Sequence, residues 1–140
     1  MRRARTDDEV ERALDLRRRV FCDEQGVDPA AEQDGRDGDA IHLVALSGDA
    51  LVGTCRLLVE DDGTVRFGRA AVAGESRGRG IGAALLEAAD RVSLEAGADR
   101  IRLHAQTAAR SLYERAGYAP RGEPVLEEGI EHVTREKRLG

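Results

Sequence analysis

Tryptophan is absent from this chain, and only two Phe and two Tyr are present. A core within its 140 residues must therefore be built from Val, Leu, Ile and Ala, which the 41% hydrophobic content supplies. Lysine is almost missing: Lys137 stands alone against 21 arginines, a bias that a GC-rich or a salt-adapted host would each produce. No lysine sits in a glycine-rich phosphate loop, which excludes that motif. The two cysteines, Cys22 and Cys55, have no metal or redox spacing. Two free thiols in a reducing cytoplasm, and no metal site, are expected. No apolar run reaches the length of a membrane span. None follows the basic start Met1-Arg2-Arg3-Ala4-Arg5, so neither a signal peptide nor a membrane partner is expected. An excess of positive charge is lacking too. A net charge of -5 argues against a nucleic-acid partner and suits a cationic or amine-bearing one.

What the chain does have is glycine at chosen places. Phe67 to Ala83 reads as a strand end, a glycine loop and a helix start. Ala70, Ala71, Val72 and Ala73 are small and apolar, and Gly74 marks a bulge or turn. Gly78, Gly80 and Gly82 then alternate with Arg77, Arg79 and Ile81. Glycines at this spacing let a ligand approach the backbone. Ile81, Leu85, Ala88 and Val92 recur at helical spacing, so the loop ends on a helix N-terminus. Unpaired N–H groups and the macrodipole favour an anion there, and two arginines add charge. The physical reading is a site for a phosphorylated cofactor; a glycine-rich cap without a ligand is the plainer alternative. A dinucleotide fold fits Gly78, Gly80 and Ala83 loosely, but no acidic residue ends the next strand, Ile101 to Ala105.

The rest of the chain reads as alternating elements. Thr6 and Glu9 form a capping box ahead of a helix expected over 7–21. Arg17-Arg18-Arg19 on that helix reads as a solvated face. Residues 23–39 hold seven acidic side chains against Arg36 and read either as a solvated loop or as a functional one. A calcium loop at Asp34–Asp39 is excluded by Arg36 and Gly38. Strands are expected at 41–46, 51–59 and 65–73, joined by short turns into an antiparallel meander. A helix to about Ala96 and a strand at 101–105 imply a parallel crossover. A helix over 108–116 closed by Gly117 and strands at 118–125 and 130–138, separated by Glu127-Glu128-Gly129, complete the chain, with no linker or repeat.

Arg77-Gly78-Arg79-Gly80-Ile81-Gly82 resembles motif A of the GNAT superfamily of acyl-CoA-dependent N-acyltransferases. Gln106 to Tyr118 resembles that family's second half, with Tyr113 and Gly117 in register. Val20-Phe21-Cys22-Asp23-Glu24-Gln25-Gly26, Asp39-Ala40-Ile41-His42, Leu103-His104-Ala105-Gln106 and Glu128-Gly129-Ile130-Glu131-His132 are similar to the ElaA-like branch. The resemblance implies an α/β (α+β type) GNAT fold in a single domain over 1–140. Its mixed sheet would have six to seven strands, with an antiparallel meander, a parallel splayed pair and flanking helices.

It also implies acetyl-CoA as cosubstrate. The pantetheine arm would enter between the strands ending at Val72 and Ala105 and bond backbone near Ala70, Val72 and Ala73. The pyrophosphate would sit on the N–H groups of Arg77 to Gly82, and Gln106 stands where the family often has Asn. A backbone N–H near Val72 would stabilise the thioester oxygen, and Tyr113 would protonate the leaving thiolate. The Glu that many members carry before motif A is missing, since Gly68 and Arg69 stand there. Glu24, preferred for its place in the acceptor loop, His42, His104 and His132 are the candidate bases. No cysteine matches a nucleophile of the family, so direct transfer in a ternary complex is expected. A non-catalytic acyl-CoA sensor of the same fold is the alternative. The acceptor amine stays open, as does a homodimer.

Overall fold

A computed structural model describes residues 1–127 and 129–140, with the side chain of Ala108 also outside the described set. The expected turn at Glu127–Gly129 and the motif beginning at Glu128 both include Glu128, which lies outside the described residues.

Helix α1 spans Asp7–Arg17, with the Thr6 hydroxyl accepting from the Glu9 N–H at 3.1 Å. The α-helix stops at Arg17, short of the expected Phe21. A π-helical segment, Arg18–Glu24, continues it, with the Gln25 N–H donating to the Val20 carbonyl. A short helix α2 (Pro29–Glu32) follows, capped by Asp28. Strands β1 (Arg2–Arg3), β2 (Ile41–Ser47), β3 (Ala50–Val59) and β4 (Thr64–Val72) pair antiparallel in that order. Helix α3 (Ile81–Glu95) leads to β5 (Arg100–Gln106), which runs parallel to β4. Helix α4 (Arg110–Arg115), β6 (Ala119–Pro120), β7 (Val125–Glu127) and β8 (Ile130–Arg138) close the chain.

Among the described residues, eight strands form one mixed sheet in the order β1-β2-β3-β4-β5-β8-β6, with β7 also on β8. The meander, the crossover and the mixed sheet are as expected. The expected strand over 118–125 is instead two fragments. Pro120 and Pro124 donate no N–H, and Gly122 is left-handed at φ 78°. The two-residue β1 was not expected; two residues carry no periodicity.

Helix α3 packs Leu85, Leu86, Ala88, Ala89 and Val92 against Leu57, Val65, Phe67, Ile101 and Leu103 on one face of the sheet. Each such leucine contributes about 1.5–3 kcal/mol on burial. Helix α1 and the π-helical segment cover part of the other face, with Ala13, Leu16 and Val20 against Val44, Leu51, Ala71 and Ala73. The half of that face over β4, β5 and β8 stays open.

Residues 28–39 are not a solvated loop. Arg17 is fully buried, and its guanidinium reaches Glu32 at 2.6 Å and Asp37 at 2.7 Å. Arg56 on β3 holds Asp34 at 2.8 and 2.9 Å. Arg69 donates to the Glu32 carbonyl at 3.1 Å. Hydrogen bonds from Arg56 hold the Asp34 carboxyl well below the usual range. Of the run expected on a solvated face, Arg18 and Arg19 are exposed, while Arg17 is the buried anchor of the acidic segment.

Candidate functional site

Strand β4 carries the feature on which the site turns. Its pairing with β3 shifts between Thr54 and Arg56, so that Arg69 and Ala70 together oppose Cys55. This is a β-bulge, and Arg69 is its strained residue, at φ 54°. The bulge lies ahead of Gly74, which starts a helical turn instead. It also exchanges the faces of the strand. Val65 and Phe67 point toward α3, but Ala71 and Ala73 point toward α1.

The parallel pairing of β4 with β5 runs from Thr64/Arg100 to Phe67/Leu103 and stops. Past it, β4 and β5 diverge. The Ala73 N–H donates to the Val52 carbonyl at 2.8 Å, so Ala73 is turned toward β3. Alternation along an extended strand turns the backbone of Val72 to the open edge. There the Val72 carbonyl accepts from Arg77 Nε at 3.1 Å.

The glycine loop lies at the same end of β4. Gly80 is the N-cap of α3 at φ 78°, and no side chain caps the helix. A Cβ on Gly80 would meet nothing within 4 Å, so the glycine serves the left-handed turn and leaves open space above the helix. Only the Ala84 N–H of this first turn reaches back, to the Gly80 carbonyl at 3.1 Å. The N–H groups of Ile81, Gly82 and Ala83 face outward, as at any helix start. Arg77 is oriented by Glu24, whose carboxylate lies 2.8 Å from it. Arg79 is exposed.

The open half of the sheet forms a cleft of about 660 Å³. Its walls include Phe21, Gln25 and Val27 from the π-helical region, Gly68 to Ala70 of the bulge, and Leu103, His104, Gln106 and Tyr113. Tyr113 is placed by its C-terminal neighbours. Gly117, at φ 92°, ends α4, and the Tyr118 N–H donates to the Tyr113 carbonyl at 2.9 Å. The Tyr118 hydroxyl donates to Asp90 at 2.8 Å. The Tyr113 hydroxyl has no hydrogen-bond partner among the described residues. Burial pushes the Tyr113 phenol above its ordinary value, so it stays protonated at neutral pH.

The acetyltransferase (GNAT) domain family matches residues 3–139 of the chain. The chain belongs to the GNAT family of acetyltransferases. ElaA of Escherichia coli is 33% identical over 86% of this chain and 81% of its own. The crystal structure of E. coli ElaA superimposes with a TM-score of 0.85 over 95% of this chain and 92% of that one, at 29% identity. An acyl-CoA N-acyltransferase from Pseudomonas aeruginosa is 33% identical, with a TM-score of 0.84 over 95% of this chain and 92% of its own. The uncharacterized N-acetyltransferase YjcF of Bacillus subtilis is 30% identical over 93% of each chain.

In this GNAT chain the residues expected to hold the cosubstrate fall into two groups. Ala70 is exposed on the cleft. Val72 is half-buried at the open edge, and Arg77 to Gly82 form the loop beside it. Gln106 ends β5 across the divergence. Ala71 and Ala73 instead fill the core under α1, which explains their size without a ligand.

The four candidate bases also separate. Glu24 is paired with Arg77 and is not among the cleft-lining residues. His42 is buried on β2, its Nε2 donating to the Asp37 carbonyl at 2.9 Å. His104 and His132 do line the cleft, and Glu127 stands between them. The Glu127 carboxylate accepts from His104 Nδ1 at 2.5 Å and lies 3.9 Å from His132 Nε2. Sequence reading took Glu127 for a turn residue. Its only signal there was its place ahead of the strand carrying His132, since the contact depends on β7 folding back onto β8. Among the described residues no cluster suited to a metal ion occurs. Cys55 is fully buried, and burial pushes its thiol up, away from the reactive thiolate.

Proposed function

We propose that residues 1–140 act as a single GNAT domain that transfers an acetyl group from acetyl-CoA directly to an amine acceptor. The observation that carries this reading is the divergence of β4 and β5 beyond Phe67/Leu103, with the glycine loop and the uncapped N-terminus of α3 following the end of β4. The opening is flanked by the backbone of Val72, whose carbonyl is held by Arg77. Phosphorylated groups suit the N–H groups from Gly78 to Gly82, helped by Arg79. Two structures of the same fold support the choice of cosubstrate. A Bacillus subtilis acetyltransferase in complex with CoA has a TM-score of 0.74 at 24% identity. An aminoglycoside 6'-N-acetyltransferase complexed with coenzyme A has a TM-score of 0.77 at 15% identity.

In this reading the chain's own groups divide the work. The Val72 N–H stabilises the thioester oxygen as it gains charge. His104 takes a proton from the amine through Nε2. Glu127 accepts the Nδ1 hydrogen bond and so holds the tautomer in which Nε2 is free. The new bond joins nitrogen to the acetyl carbon, the carbon–sulfur bond breaks, and Tyr113 gives its proton to the departing sulfur. Glu24 orients Arg77 rather than serving as the base.

The test is release of free CoA thiol with a panel of amines, alongside calorimetry of CoA binding. Turnover with any amine supports an enzyme. CoA binding without turnover across the panel supports the sensor reading instead.

A further inference from the structure

The open half of the sheet carries charge of the opposite sign to the chain. Arg56, Arg66, Arg69 and Arg102 line the cleft against Glu32 and Glu127, in a protein of net charge -5. Two of these arginines are committed to the acidic segment. Arg56 holds Asp34, and Arg69 holds the Glu32 carbonyl.

Arg66 and Arg102 are placed differently. They stand directly opposite each other in the parallel register of β4 and β5. Their side chains therefore leave the same face side by side, where like charges repel. Neither has a close carboxylate to itself. Arg102 reaches Glu136 at 2.8 Å, but Arg121 reaches the same carboxylate at 2.7 Å. The carboxylate that Arg66 pairs with, Glu60, is 3.9 Å away, and Arg66 stays 54% exposed. Net charge alone suggests a cationic or amine-bearing partner; the lining of this cleft adds a local set of positive groups.

His104 follows Arg102 by two positions on β5, so it shares that face at a distance of about 7 Å along the strand. We propose that the acceptor is an amine that also carries an anionic group, a carboxylate or a phosphate. Arg66 and Arg102 clamp the anion while the nitrogen lies at His104. Paired guanidinium groups present the planar donors that such oxygens accept. The spacing suits an anion at the far end of an aliphatic chain better than an α-amino acid, whose two groups share one carbon. This proposal rests on the transferase reading above.

The experiment compares pentylamine, ω-aminopentanoate and ω-aminobutyl phosphate in two assays. One is the melting temperature of the CoA-loaded protein; the other is kcat/KM for acetyl transfer. The proteins are wild type, Arg66→Gln, Arg102→Gln and the double variant, each checked for folding by far-UV dichroism. In wild type, the better acid-bearing amine should exceed pentylamine by about tenfold to a hundredfold in kcat/KM, the range of a hydrogen bond to a charged group. It should also raise the melting temperature where pentylamine does not. Both preferences should fall toward parity in the double variant and weaken with added salt. The stronger of the carboxylate and phosphate arms identifies the anion. Parity of charged and neutral amines in wild type in both assays overturns the proposal, as does a preference that survives the double variant, or the absence of binding and turnover with every amine. If the charged amines bind the wild type but not the double variant and none is acetylated, the anion subsite stands and the transferase reading falls. If pentylamine turns over as well as its charged counterparts, the reverse holds.

Discussion

The rings of Tyr113 and Tyr118 meet edge to face, 6.2 Å between centroids, across the helix terminus that Gly117 creates. The contact fixes Tyr113 at the wall of the cleft, and its hydroxyl meets no acceptor among the described residues. Tyr113→Phe keeps the ring and this packing. If the phenol protonates the departing sulfur, kcat should fall about 10²- to 10⁴-fold. CoA affinity and melting temperature should change little. Steady-state kinetics, calorimetry and a thermal melt measure the three quantities, and undiminished kcat would remove Tyr113 from the chemistry.

His104 and Glu127 make a second kinetic prediction. His104→Gln should lower kcat by about 10²- to 10⁴-fold, the usual contribution of a general base. Glu127→Gln should lower it less, because it positions the imidazole and leaves the ring in place. Acetyl-CoA should still stabilise both variants. Glu24→Gln, by contrast, should weaken CoA binding through Arg77 and leave kcat at saturating cosubstrate near wild type. A collapse of kcat in Glu24→Gln with normal turnover in His104→Gln would return the base to Glu24.

The glycine loop can be tested without turnover. Gly80→Ala and Gly80→Leu carry the same left-handed backbone cost, about 1–2 kcal/mol. Only leucine projects into the open space above α3. Acetyl-CoA at a hundredfold excess over its dissociation constant should stabilise wild type by about 2.7 kcal/mol. The alanine variant should retain much of that shift and the leucine variant should lose it; NAD should give none with any of the three. Equal shifts in the two variants would place the phosphates elsewhere.

The buried arginine governs stability. Arg17→Met leaves Glu32 and Asp37 without their main partner, which should cost about 3–5 kcal/mol, read by urea denaturation. The sign of the pH dependence follows from the same cluster. Asp34 and Asp37 both sit below the ordinary aspartate value of 3.8 in the folded protein. For Asp34 the Arg56 hydrogen bonds are the main cause. Burial opposes ionisation of Asp37, and Arg17 and Arg56 together outweigh it. The stabilisation they give is present above that value and is lost as pH falls below it. The melting temperature should therefore drop below about pH 4, with Arg56→Gln flattening the drop.

Much of the candidate site's local structure was legible because its signals are local. Left-handed glycines, an amphipathic period and a helix cap are written within a few neighbouring residues. They gave the loop at Arg77–Gly82, helix α3 and the Tyr113–Gly117 register. The breaks were also local in part: Pro120 and Pro124 remove donors from a run that otherwise reads as a strand.

By itself, then, the sequence determined the family, the meander, the parallel crossover and the loop on which a phosphorylated cosubstrate is expected. Tertiary structure alone decided which small residues face the cleft. One extra residue in β4 moves Ala71 and Ala73 from the α3 face to the α1 face. It alone buried Arg17 among acids 15 and 20 positions away. It alone brought Glu127 to His104 and set Arg66 beside Arg102. Each of these depends on strand register or on the docking of a distant segment. Register is fixed by the packing of whole faces against the two helices, and no short window of residues encodes it.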